Sequence, residues 1–163
     1  MEAIIAEVKR QGRPLVLVTG GEPLAQKQCI ELLKELGKLD CIVQLETSGA
    51  YLIDQVPESV HRIVDIKTPG SLEVERNRLE NLALLTANDE LKFVITSRDD
   101  YEWVRQFIVE YNLAACEATL LMSPAYGSVA GSDLCAWMLE DRLPARMQLQ
   151  LHKVIWGAQA TGV

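Results

Sequence analysis

The sequence predicts an α/β fold assembled from parallel strand–helix units. Two observations predict it. Short apolar, β-rich runs alternate with amphipathic stretches of helical period along the chain. The strand runs also end in polar segments bearing glycine or proline, the pattern of loops that line a pocket on a rigid scaffold.

Taken in order, residues 15–19 (LVLVT) form a buried-strand run and lead into Gly20, Gly21, Glu22 and Pro23. Residues 24–36 then carry Leu24, Cys29, Ile30, Leu32, Leu33 and Leu36 at roughly helical spacing, with Gly37 as the stop. The second strand is 41–46, ending in Thr47, Ser48 and Gly49. The third is 62–66, ending in Lys67, Thr68, Pro69 and Gly70, and a helix is expected over 72–85. Residues 90–95 make the fourth strand. Ser97 to Asp100 then cap a helix to about Tyr111, whose Trp103, Val104, Phe107, Ile108 and Tyr111 share one apolar face, read as core packing. A fifth strand over 118–122 ends in Ser123 and Pro124. Ser132 or Asp133 caps a helix to about Leu139, and 145–151 reads as a sixth strand running into His152 and Lys153. Residues 154–163 read as a short irregular tail.

Composition narrows the classes of function. A chain of 163 residues has the length of one domain, here 1–163, with the usual apolar content of 48%. The net charge of −7 gives no footprint for a nucleic-acid backbone or an anionic membrane. Apolar runs are far shorter than the roughly 20 residues of a membrane span, and the N-terminus lacks a secretory start, so the chain reads as cytoplasmic. Cys29, Cys41, Cys116 and Cys135 show no C-x-x-C spacing and read as buried free thiols of a reducing compartment.

In parallel α/β folds, function collects at the C-terminal strand ends. The two glycines at 20 and 21 allow a sharp turn and close backbone approach to a ligand, Glu22 can accept from an ammonium group, and Pro23 suits a first helical turn. A plain tight turn remains the alternative. Glu46, Lys67 and Lys92 are each either solvated or ligand-facing. Gln148, Gln150 and His152 alternate, so on a strand they would share one face, unlike a buried core strand. His61 reads as a surface loop residue. The phosphate-loop and dinucleotide patterns, H-E-x-x-H and a Ser/His/Asp order are absent.

The run Thr19-Gly20-Gly21-Glu22-Pro23 resembles the G-G-E-P loop of the radical S-adenosylmethionine superfamily. Glu46-Thr47-Ser48-Gly49, Asp65-Ile66-Lys67-Thr68-Pro69-Gly70, Asp89 to Ile95 and Gln148 to Lys153 follow in that order. Together they are similar to the 7-carboxy-7-deazaguanine synthase family, from Arg13 to Val163. The resemblance implies a partial (β/α) barrel of parallel strands. It implies reductive cleavage of S-adenosylmethionine by a 4Fe–4S cluster, hydrogen abstraction from 6-carboxytetrahydropterin, ring contraction and loss of ammonia. Such chemistry belongs to the cofactors, while the protein positions and shields. Cofactor-binding roles carry over to Gly20, Gly21, Glu22, Pro23, Glu46, Asp65 and Lys67. Substrate-binding roles carry over to Thr19, Gln150, His152 and the C-terminal carboxylate of Val163. The family's serine-proline-lysine segment reads Asp65-Ile66-Lys67 here, and Ser48 stands where asparagine is usual. The implied partners are the pterin, a reductant such as flavodoxin, and a second copy in a homodimer.

One departure is severe. The superfamily's C-x-x-x-C-x-x-C loop lies N-terminal to the G-G-E-P strand with a first strand and helix, and the 18 residues before Thr19 contain no cysteine. The expectation is a chain lacking the N-terminal strand and cluster-binding segment, with the magnesium ligand absent too, and inactive alone. The alternatives are a non-catalytic S-adenosylmethionine-binding or interaction module on this scaffold, or another radical enzyme such as a glycyl-radical activase.

Overall fold

A computed structural model describes residues 1–157 and 159. Among these residues six strands form one sheet: β1 (Leu15–Val18), β2 (Ile42–Thr47), β3 (His61–Ile66), β4 (Glu90–Ile95), β5 (Thr119–Pro124) and β6 (Arg146–Met147). Their spatial order is their sequence order, and every pair is parallel. Crossovers between parallel strands are right-handed. A sheet that grows in one direction therefore places every crossover on the same face, which is the winding of a (β/α) barrel. Six strands leave that barrel partial.

Among the described residues five α-helices accompany the sheet: α1 (Glu2–Gln11), α2 (Cys29–Leu36), α3 (Arg98–Glu110), α4 (Gly131–Glu140) and α5 (Leu151–Trp156). The core lies between α2, α3, α4 and the outer sheet face. There Leu33, Leu36, Val104, Phe107, Leu134 and Met138 meet Val43, Leu45, Val64, Ile66, Phe93 and Met122. Because strand side chains alternate, the intervening residues point to the concave face. Gln44, Glu46, Asp65, Lys92 and Ser123 belong to that second set.

Several expectations are corrected. The N-terminal segment, read only for targeting signals, forms α1. Its Ile5 and Val8, three residues apart, pack on the core, and Gly12 ends it at φ 58° with its N–H bonded to Val8 O. The helix over 24–36 is a 3₁₀ turn, Pro23–Ala25, and then α2. In place of the helix over 72–85 the chain makes two 3₁₀ turns (Val74–Arg76 and Leu79–Leu84), after another at Pro69–Ser71. Asn77 and Asn81 explain this, because their side chains bond backbone elsewhere and compete with helical pairing. Asn77 holds both the N–H and the C=O of Lys67 at 2.9 Å, and Asn81 takes Ile53 N and reaches Tyr51 O. Helix α4 starts at Gly131, with Ala130 rather than Ser132 or Asp133 at its cap. The sixth strand shrinks to two residues plus one further bond, Gln148 N to Met122 O, and the chain then turns into α5 instead of an irregular tail.

Candidate functional site

The loop after β1 is built by two glycines. Gly20 (φ 102°) and Gly21 (φ 59°) both occupy the positive-φ region that side chains disfavour, and a Cβ at either would meet open space. The requirement is therefore conformational, and it leaves exposed backbone facing outward. Glu22 caps the following 3₁₀ turn by accepting from Leu24 N at 2.9 Å. The same carboxylate accepts from Thr47 Oγ1 at 2.8 Å, from Ser48 N at 2.7 Å and from Ser48 Oγ. Two strand-end loops are thus joined at one side chain.

The C-terminal parts of β2 and β3 and the middle of β4 carry a charged group on the concave face. Lys92 Nζ lies 2.6 Å from Glu46 Oε1, and Lys67 Nζ 2.5 Å from Asp65 Oδ2. Asp65 and Lys92 are register partners. Burial pushes the Asp65 carboxyl above its usual range; Lys67 and Lys92 pull it back and Glu46 adds to the rise. Its other oxygen, Oδ1, is buried without a hydrogen-bond partner among the described residues, as are Ser123 Oγ, Gln148 Oε1 and Gln150 Oε1. Buried polar atoms are normally paired, so the unpaired Asp65 and Ser123 oxygens on this face mark where a polar ligand completes the network.

The support is stiff. Asn77 fixes the Lys67 backbone. Asp100, at the start of α3, accepts from Gly70 N at 2.8 Å and Thr96 N at 3.0 Å, which ties the loop after β3 to that helix. Burial alone would raise Asp100, but these donors and Thr96 Oγ1 hold it below the usual carboxylate range. A Cβ on Gly70 would collide with Thr96 Oγ1 and Asp100.

The structure brings Gly20 to Pro23 beside the end of β2, and Glu46, Asp65 and Lys67 together with Lys92. Thr19 and Gly20 line an open groove with Met1, Ile4 and Gln28. His152 is a correction: it is exposed on α5 and does not share a strand face with Gln148 and Gln150. His61 is a second. It opens β3 with its side chain 23% exposed, and Nε2 lies 3.5 Å from Glu90 Oε2. Val163 lies outside the described residues. Sequence reasoning missed Asn77 and Asp100, whose contacts span 10 and 30 residues.

For a metal centre the residues do not fit. Among the described residues no three His, Cys, Asp or Glu side chains gather where they could hold an ion. Cys29 is buried in α2, and Cys41, Cys116 and Cys135 are half-buried. None of the described helices is long and apolar enough to cross a membrane.

No family model matches the chain. It is 39% identical over 166 residues to the 7-carboxy-7-deazaguanine synthase of Chlorobaculum tepidum, covering 100% of this chain and 75% of that protein. It is 39% identical over 176 residues to the enzyme of the same name from Koribacter versatilis, covering 99% and 78%. The Methanospirillum hungatei protein of that name is 35% identical over 153 residues, with 93% and 63% covered. Among solved structures, Streptococcus suis SuiB superposes with a TM-score of 0.59 at 12% identity, over 99% of this chain and 46% of that one, a likeness of fold alone.

Proposed function

The chain belongs to the 7-carboxy-7-deazaguanine synthase family of radical S-adenosylmethionine enzymes, and from that premise we propose that its concave face holds S-adenosylmethionine and a pterin for ring contraction to 7-carboxy-7-deazaguanine. The observation that carries this reading is the buried, unpaired Asp65 Oδ1 beside a Lys67–Asp65 ion pair. A zwitterionic amino-acid end matches that pair: its ammonium suits the free carboxylate oxygen and its carboxylate suits the Lys67 ammonium. The positive-φ loop at Gly20 and Gly21 presents backbone to the same ligand with no side chain in the way. Ser123, Gln148 and Gln150 supply unpaired acceptors for the amino and ring N–H groups of a pterin.

When bound, S-adenosylmethionine would supply the radical that starts the reaction, on taking one electron from an external reductant that breaks its sulfonium C–S bond and releases methionine. This chain's residues bind, orient and exclude water. An iron–sulfur cluster has no fitting ligand set among the described residues, and neither has magnesium. The further expectations are a single domain over 1–163, cytoplasmic location, a flavodoxin-type reductant and a homodimer.

Two measurements test the reading. Titration with S-adenosylhomocysteine, followed by the amide resonances of Gly20, Gly21 and Lys67, is expected to shift all three, with affinity falling about tenfold in Lys67→Met, a loss of roughly 1.4 kcal/mol. Shifts that avoid these residues would overturn it. Anaerobic reconstitution of the 163-residue chain is expected to give neither stoichiometric iron nor turnover of 6-carboxytetrahydropterin, and turnover would contradict the ligand-set argument.

A further inference from the structure

Glu22 looks at first like an acceptor for the cofactor's ammonium group. Counting its lone pairs argues otherwise. An ionised carboxylate offers about four acceptor positions. Four donors already occupy Glu22: Leu24 N–H, Thr47 O–H, Ser48 N–H and Ser48 O–H. Thr47 Oγ1 stands within bonding distance of both oxygens, at 2.8 and 2.9 Å. No cation lies within ion-pair distance among the described residues. Three of the four donors come from the end of β2, 25 or 26 residues away in sequence. An incoming ammonium would have to displace a bond already made in a half-buried site, where an orphaned donor costs about as much as the new contact returns.

We propose that Glu22 is a positioning residue: its carboxylate is a clip that fastens the Gly20–Gly21 turn to Thr47 and Ser48, and it leaves ammonium recognition to loop backbone and to Asp65. The clip gives two adjacent positive-φ glycines, at which a Cβ would meet no atom within 4 Å, a side-chain anchor to the next strand end. The proposal deepens the reading above and rests on it only where ligand binding is concerned.

The test has two arms. Without ligand, a double-mutant cycle between Glu22→Gln and Ser48→Ala is measured by urea unfolding, with amide exchange at Leu24 and Ser48. Expected are strongly coupled losses, the double variant's unfolding constant lying about fivefold or more from the product of the single changes. Exchange at both amides should rise in Glu22→Gln. Additive losses with unchanged exchange would overturn the clip. With ligand, S-adenosylhomocysteine is compared with its deaminated analogue. Ser48→Ala should weaken the first about fivefold and Ser48→Thr should restore it, a rescue that general destabilisation does not produce. Glu22→Gln should weaken both ligands equally. A Glu22→Gln loss confined to the amino-bearing ligand, with Ser48→Ala silent, would overturn the proposal in favour of direct contact. If the unsubstituted chain binds neither ligand, the cofactor reading fails, and the clip stands or falls on the ligand-free arm.

Discussion

Strands β3 and β4 carry an ion pair at each end, and the two differ in kind. At the N-terminal end, Arg62 and Asp89 form a bidentate pair with side chains 7% and 1% exposed. Asp89 also takes Thr86 N and Thr86 Oγ1, and Arg62 gives a further bond to Leu84 O. At the C-terminal end, Asp65 meets Lys67 through one oxygen and leaves the other buried and unmet. An aspartate paired with a basic side chain therefore serves two purposes. A saturated pair holds the chain together; an unsaturated pair at a strand end holds a place for a ligand. Glu22 falls on the saturated side of this division.

The largest effect expected is at the saturated pair. Arg62→Met strands the Asp89 carboxylate in the interior, a change that typically costs about 3–5 kcal/mol. Urea unfolding measures it, and adding Asp89→Asn to the same chain, which removes the stranded charge and keeps an acceptor for its backbone donors, should recover part of the loss. A cost under about 1 kcal/mol would mean that water reaches the pair and would erase the comparison.

Acid separates the two ends by sign. Burial by itself would raise Asp89, but the Arg62 and Thr86 bonds hold its carboxyl below the usual range. A lowered carboxyl stabilises above the unfolded pKa of about 3.9, and that stability is lost as pH falls through the folded value. Asp100 acts the same way. Asp65, raised by burial, has the opposite sign: its contribution is present below about 3.9 and is lost as pH rises through its folded value. Asp89→Asn and Asp100→Asn should each flatten the acid limb of a stability–pH profile, and Asp65→Asn should steepen it.

How much of this was legible in advance follows the range of the interactions. The βα alternation, the Gly20–Gly21 turn and the Ser97 cap rest on residues a few positions apart, so local pattern shows them. Strand β4 falls at 90–95 as its apolar run predicts. Asn77, Asp100 and the Glu22 clip act across 10 to 30 residues, and a polar residue in a loop has no local mark of such a partner. The sixth strand failed for a related reason. Alternation in Gln148, Gln150 and His152 describes a strand face only if a neighbour pairs with it, and pairing with β5 stops after Gln148 N.

At neutral pH, Asp65→Asn sharpens the comparison further. It removes a carboxyl whose ionised form burial disfavours, so the unfolding free energy at pH 7 should stay level or rise, while the response of Gly20 and Lys67 to S-adenosylhomocysteine weakens. A clear loss of stability together with unchanged ligand response would place Asp65 with Arg62 and Asp89 among the structural groups.

The smallest effect expected is on the concave face of β1. Leu15 and Leu17 are 48% and 45% exposed there, whereas Val16 and Val18 pack on the core from the other side. Leu17→Ala removes little surface from contact, so it should change stability by no more than about 0.5 kcal/mol. A cost of about 2 kcal/mol or more is the signature of a buried leucine. It would show that this end of the concave face is covered in solution, and the contrast between a packed outer face and an open inner one would then begin at β2.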